Sequence, residues 1–575
     1  MISRRKLLLG SGAVATSALL NRPAYSTSTQ GPADLILTGG EIHTVDSRNL
    51  RVEAMAVGNG RVLATGTTTE IRKFTGLSTR EINLDGRTVL PGINDSHLHL
   101  QSWAISRPPH ALDLTYPRVL SIEGVVNAVK RAAATRKPTD WIIGRGWDQA
   151  YLKEGRAPTR DDLDAVAPEN PVVLTEFSGH AVWVNTAALK FAGITRDSIP
   201  EPGGVIVKDG KGEPTGLLFE GPAFRLRALV PEPSIALKQS AITAAMLEHL
   251  ERGITSATDP GLSAADLVIY SNIASQVNAL KVRVNGMLKA GVSTGTLKAA
   301  LEEWRPLKSP DTAWLQLSAV KIMGDGIPTS NKTAWLNEPY ESGGNGSLLV
   351  EGETDQDRIR QLREMIAMIH DTGLQAGIHV TGSRSIDETV AACAEAQANN
   401  PRPDPRHYLI HADLVSETTL ARMAALGIGA NFNPEIKHLI ADSQVASIGP
   451  VRAAYEWPYR SAFDAGTTTA SSSDAPVTEG NWLQGIATCM DRRGKQTGEI
   501  SGPAQRISLD EAIRTYTIAG AWQDHAEHFK GSLEVGKVAD FCVLDGRLSS
   551  SSTADLPTTK VALTAIDGRI AHDLL

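Results

Sequence analysis

Cysteine is scarce: three occur in 575 residues (Cys393, Cys489 and Cys542), far apart and with no Cys-x-x-Cys pair. That excludes a thiolate zinc module and gives no support to a disulfide framework. Buried free thiols are expected, with a Cys393–Cys489 bridge as the alternative. Long apolar runs are also missing. Beyond the N-terminal segment no stretch reaches the ~18 apolar residues that a membrane-spanning helix needs, so the mature chain is expected to be soluble. No basic tract of the kind that grips a phosphate backbone is present, and the net charge of −7 is small for this length. Nucleic acid is therefore not an expected partner. The remaining composition, 41% apolar and 21% charged, is that of an ordinary globular protein. The chain is too long for one simple domain but suits a barrel with an appended domain.

The first residues read as an address. Ser3-Arg4-Arg5-Lys6-Leu7-Leu8-Leu9 is a twin-arginine start, residues 10–20 are a modest apolar run, and Ala24-Tyr25-Ser26 is a small-x-small cleavage site. The order of the three regions predicts a signal peptide over 1–26 and a periplasmic or secreted protein. A twin-arginine signal carries folded proteins, often with their cofactor in place, which suits a metalloenzyme.

The chain is organised around Pro91-Gly92-Ile93-Asn94-Asp95-Ser96-His97-Leu98-His99. Val89-Leu90 reads as a strand, and Pro-Gly turns the path into a second short one. Two residues apart on that strand, His97 and His99 leave the same face and suit a divalent metal of the zinc type.

Strand-like segments gather at both ends of the chain. Residues 33–45 and the pair 54–66 around Asn59-Gly60, a strong hairpin signal, lie at one end, with 531–545 and 561–570 at the other. Together they predict a small β-sandwich from 33–92 plus 530–575. Between them β-branched strands alternate with helical stretches. Segments beginning at Gly253, Lys281, Leu317, Gln375, Tyr408, Gly427 and Thr467 join the His97 strand to make eight. Eight closes a (β/α)8 TIM-type barrel over 93–529, an α/β architecture whose chemistry sits at the strand C-terminal ends. His97, Lys321, His379, His411 and Asp474 all fall at or just past such ends. Residues 101–250 do not fit the count and are expected to form an insertion over the barrel mouth after the first strand.

A hydrolytic metal site needs ligands, an open position for water and a base. The strand ends supply His97, His99, Lys321, His379, His411 and Asp474. Each has a structural alternative: a packed histidine, a turn cap for Asp474, or an ion pair with Asp325 for Lys321. A lysine on an apolar strand has its pKa pushed down. As the neutral amine it can add carbon dioxide, giving a carbamate that bridges two cations.

Several segments resemble the amidohydrolase superfamily, and more narrowly the long amidohydrolase-3 group that includes N-substituted formamide deformylases. They are Pro91 to His99, Gly146-Trp147-Asp148, the runs beginning Ala167-Pro168 and Gly179-His180, Gly203-Gly204 with Gly212 to Gly216, Lys321 to Gly326, Ser473 to Val477 and Gly531 to Asp540. The resemblance runs from about Ala33 to the C-terminus. It implies His97, His99, His379 and His411 as metal ligands, Lys321 as a carboxylated bridge, and Asp474 as a base that also touches the metal. Three stretches depart from the group's pattern. His379-Val380-Thr381-Gly382-Ser383 replaces His-Ala-x-Gly-Asp, Tyr408-Leu409-Ile410-His411 replaces Arg-x-Glu-His, and residues 327–332 replace a small-residue loop.

The expected activity is hydrolysis of a C–N bond of the amide or formamide type, with one or two divalent ions (zinc first), Asp474 as catalytic base and His180 assisting at the carbonyl oxygen. A structural hydrogen bond is the alternative role for His180. Trp103, Trp147 and Trp183 are candidate pocket walls, with core packing the expected role for at least one of them. The expected partner is a small-molecule substrate, without nucleic acid or a membrane span, and a homodimer is the candidate assembly. Cleavage of a cyclic amide, a carbamate or an ester/lactone is the alternative within catalysis. A periplasmic metal- or ligand-binding protein with a decayed site is the alternative outside it.

Overall fold

Asn59 and Gly60 take φ values of 51° and 74°, the two left-handed residues of a type I′ turn. They fold Arg61–Gly66 back on Ala54–Gly58, as the Asn-Gly signal predicts. A computed structural model describes residues 31–201, 204–276, 280–329 and 332–575. The signal segment expected at 1–26 lies outside the described residues, as do Gly203 and Ser330-Asn331.

The hairpin belongs to a four-stranded sheet with Leu35–Thr38 and Arg80–Asn83. A six-stranded sheet faces it and joins both ends of the chain: Phe541–Leu544 pairs with Thr88–Pro91 on one side and Val561–Ile566 on the other. Leu35, Leu37, Val89, Phe541 and Leu563 share the core between the sheets. Arg283 fastens this sandwich to the barrel, donating to Asp540 at 2.7 Å and to Asp567 at 2.5 Å.

Eight parallel strands follow one another in chain order. They are β1 (Ile93–Asp95), β2 (Ile254–Leu262), β3 (Arg283–Lys289), β4 (Leu315–Met323), β5 (Gln375–Val380), β6 (Tyr408–His411), β7 (Gly429–Phe432) and β8 (Thr469–Ser471). The two ends of the series meet beyond β8, where Asp474 N donates to His97 O at 2.9 Å and Ser473 gives its N and Oγ to the Asp95 carboxylate. At the opposite end of the barrel Asp524 accepts from Asn94 on β1, Thr258 on β2 and Asn285 on β3, with Lys530 beside it at 2.9 Å. One buried carboxylate thus ties three strands together, with its charge matched by the lysine.

The structure corrects the placement of the two leading histidines. β1 ends at Asp95, so His97 and His99 lie past the strand rather than on it. The chain bends away because Asp95 and the His97 carbonyl are both engaged by residues 473 and 474, and His99 becomes the N-cap of helix Leu100–Ile105.

Residues 101–250 carry their own six-stranded mixed sheet with two apolar cores. Trp147 and Trp183 pack edge to face in it, 5.9 Å apart, and Trp103 lies between His249 and Arg107. All three are at most 3% exposed. They sit in apolar cores, so core packing, expected for at least one of them, is the place of each. The three cysteines are free and buried. No described helix is long and apolar enough to cross a membrane.

Candidate metal centre

His97, His99 and Asp474 converge where β1 and β8 meet. Each offers one ligand atom, and these atoms lie within 4.8 Å of one another. His97 Nε2 stands 3.3 Å and His99 Nε2 3.2 Å from Asp474 Oδ1. Both ring nitrogens of His97 and Oδ1 of Asp474 are buried without a hydrogen-bond partner. Orphaned polar atoms are rare inside proteins. Three in one cluster fit a divalent cation, and imidazole with carboxylate is a donor set that zinc-type ions accept.

The other expected ligands border this cluster. The His411 ring centroid lies 5.5 Å from that of His97 and 4.4 Å from that of His379. Asn433 fixes the His411 tautomer: His411 Nδ1 donates to Asn433 Oδ1 at 2.7 Å, leaving Nε2 for a ligand. Asn433 is itself held by Ser472 Oγ at 2.9 Å. His379 Nε2 lies 3.3 Å from the Gly326 carbonyl. His411, Ala412 and Asp474 all occupy the left-handed region, at φ 71°, 46° and 56°. Such backbone costs about 1–3 kcal/mol per residue and collects at functional sites.

Lys321 is 4% exposed on β4 and does not pair with Asp325. The Asp325 carboxylate is filled by Trp335 N, Thr381 N and Gly382 N, each at 2.9 Å, and by Ser385 Oγ at 2.5 Å, which staples the loops after β4 and β5. Burial brings the Lys321 amine down to about 7, against the pull of the Asp474 carboxylate. Burial depresses His411 to about 4 and His379 well below the usual imidazole range, with neighbouring positive charge adding to both. Burial pushes the Asp474 carboxyl up, but its contacts with His97 and His99 outweigh this and hold it well below the ordinary range. His379 and His411 are therefore shifted toward the neutral imidazole and Asp474 toward the ionised carboxylate, the forms that bind a metal.

His180 reaches the cluster from the insertion, its ring 5.3 Å from that of His379. Its Nδ1 donates to Glu220 Oε2 at 2.8 Å, and Thr333 Oγ1 donates to Glu220 Oε1 at 2.5 Å. Burial works against the His180 charge, but Glu220 outweighs it and raises the imidazole above its usual value. Glu220, 1% exposed and at φ 52°, was not legible in the sequence, because a left-handed glutamate before a helix carries no motif. Asn433 was missed for a related reason: it acts on His411 through a contact that only the fold creates.

A family model described as Amidohydrolase family matches residues 80–572. The chain belongs to the amidohydrolase family. It is 30% identical to the Bacillus subtilis protein YtcJ over 93% of this amidohydrolase and 98% of YtcJ. It is 28% identical to an N-substituted formamide deformylase of Arthrobacter pascens, over 94% of this chain and 98% of that one. The crystal structure of an uncharacterized metal-dependent hydrolase from Pyrococcus furiosus superposes with a TM-score of 0.67 at 26% identity, covering 89% of this chain and 98% of that one. Family, fold and the His-His-Asp cluster together make this amidohydrolase a metal-dependent hydrolase of small-molecule substrates.

Proposed function

We propose that this metal-dependent hydrolase cleaves a C–N bond of the amide or formamide type. The observation that carries the proposal is the ionised Asp474 carboxylate, buried at 6% exposure with Oδ1 unpartnered between two imidazoles at the barrel mouth. His97, His99 and Asp474 would hold a divalent ion, zinc first, with His379 and His411 available to a second one and a carboxylated Lys321 between them. When bound, such an ion supplies Lewis acidity and lowers the pKa of water from about 16 toward about 7.

The chain's own groups do the rest. Asp474 accepts the proton of the attacking water and passes it to the leaving nitrogen as the C–N bond breaks. His180, kept protonated by Glu220, donates through Nε2 to the carbonyl oxygen as negative charge develops there. The half-neutral Lys321 amine attacks carbon dioxide and releases one proton, leaving a carbamate in place of a costly buried ammonium. The identity to a formamide deformylase along nearly the whole chain supports the C–N bond over the ester alternative.

The test is Asp474→Asn assayed on a panel of N-formyl, N-acyl, lactam and ester compounds. Turnover of the amide-type members should fall by about 10²–10⁴-fold, and metal analysis should still find the ion. Unchanged turnover removes the base assignment, and a panel on which only esters react removes the C–N reading.

A further inference from the structure

His99 holds two positions at once: it is a candidate metal ligand and the N-cap of helix Leu100–Ile105. A cap residue ordinarily turns its side chain back to accept from an amide of the first turn, because those amides have no acceptor within the helix. His99 makes no such bond, and its Nε2 instead faces Asp474 Oδ1 at 3.2 Å. The missing acceptor comes from β2. Asp259 Oδ2 accepts from Gln101 N, the second residue of the helix, at 3.0 Å. On the other side of His99, Leu98 N donates to Thr258 O at 2.9 Å. Two consecutive residues of β2 thus tie down the chain on either side of this histidine.

Asp259 is placed for this by its own surroundings. The β2–β3 pairing shifts register between Asp259 and Leu262, and such irregularities re-aim side chains beside active sites. Tyr270, on the helix Ala264–Ala274, donates its hydroxyl to the same Oδ2 at 2.6 Å. Both residues are buried. Burial pushes the Asp259 carboxyl up to about 6, with the Tyr270 hydrogen bond, the charge of His99 and the Gln101 amide pulling it down. Burial and the charge of Asp259 raise the Tyr270 hydroxyl well above its ordinary range, so it keeps its proton and donates. The body of the His99 helix is anchored separately: Trp103 Nε1 donates to Glu248 at 3.2 Å, and the Arg107 guanidinium lies 3.8 Å from the centre of the Trp103 ring. Loss of Asp259 would therefore release the His99 end of the helix and leave Trp103 docked.

We propose that Asp259, oriented by Tyr270, is a positioning residue for the metal: it caps the His99 helix from a neighbouring strand and so leaves the His99 imidazole free to bind the ion. The inference rests on His99 being a metal ligand and concerns how firmly the centre holds its ion. The competing account is that the Asp259–Tyr270 pair stabilises the fold alone.

Zinc affinity, measured by competition against chelators of graded strength, separates the two. Asp259→Ala should weaken zinc binding about 10–100-fold, the usual effect of removing a group that orients a ligand. Asp259→Asn, whose amide oxygen can still accept from Gln101 N, should recover most of it. In a His99→Ala background the Asp259→Ala change should cost almost nothing further, because its effect travels through His99, whereas a role in the fold alone predicts no such coupling. An affinity unchanged in Asp259→Ala, or weakened by the same factor with and without His99, overturns the proposal. Tyr270→Phe keeps the packed ring and should weaken zinc binding in the same direction by a smaller factor. Where Asp259→Ala does not fold, an unchanged affinity in Tyr270→Phe overturns the proposal in its place. Zinc affinity indifferent to His99→Ala removes the metal centre itself and the proposal with it, while affinity lost in His99→Ala but kept in Asp259→Ala removes the proposal alone.

Discussion

Replacing Lys321 by methionine keeps an unbranched side chain on β4 but removes the amine. In the metal-free protein burial lowers that amine from 10.5 to about 7, a fall of about 3.5 units. At about 1.4 kcal/mol per unit the folded state carries a handicap of up to about 5 kcal/mol whenever the lysine is protonated. The sign follows from proton counting. Between about pH 7 and 10.5 the unfolded chain holds the proton and the folded chain does not, so stability rises with pH by up to about 1.4 kcal/mol per unit. Below about pH 7 both states are protonated and the handicap is constant. Denaturant unfolding of metal-free wild type and Lys321→Met at pH 6, 7, 8 and 9 should therefore show two things. The variant should be the more stable at pH 6, and the difference should shrink by about 2–3 kcal/mol between pH 7 and 9. Parallel pH profiles for the two proteins would refute the claim that this lysine is desolvated and uncompensated. The same variant should bind less metal if a Lys321 carbamate is a ligand, with short carboxylic acids restoring activity. Metal content indifferent to the change would return Lys321 to a packing role.

Three further outcomes are expected. Glu220→Gln removes the charge that holds His180 protonated, so the basic limb of the kcat profile should move to lower pH; a limb that stays in place would dissociate His180 from the reaction. Asn433→Ala frees the His411 tautomer and should weaken metal binding about 10–100-fold in a chelator competition, an effect absent if His411 is not a ligand. Arg4→Lys with Arg5→Lys should retain the protein in the cytoplasm on fractionation, and normal export of that variant would dismiss the twin-arginine signal.

The barrel was readable because its strands are short β-branched runs with a titratable residue at the C-terminal end. His379 and His411 interrupt apolar sequence at such a place, His97 and Asp474 follow the polar ends of their short strands, and the fold brings the four together there. The exact exit of His97 and His99 from β1 was not readable, since it depends on Asp95 and the His97 carbonyl being engaged by residues almost 380 positions away. The tryptophans were undecided in the sequence because their bulk suits a pocket wall or a core equally; Trp147 and Trp183 fill a core of the insertion's own sheet and Trp103 joins the barrel core. Glu220 and Asn433 act through the orientation of His180 and His411, which spacing along the chain does not encode. Their signals are structural: a left-handed glutamate and an amide on an imidazole.

A divalent ion is expected between His97, His99 and Asp474. Anomalous diffraction from crystals of the zinc-loaded protein, recorded across the zinc edge, should show a peak about 2.0–2.2 Å from one nitrogen of each of His97 and His99 and from a carboxylate oxygen of Asp474, and the peak should disappear in His97→Ala. A peak elsewhere, or full zinc occupancy in His97→Ala, would rule out this site.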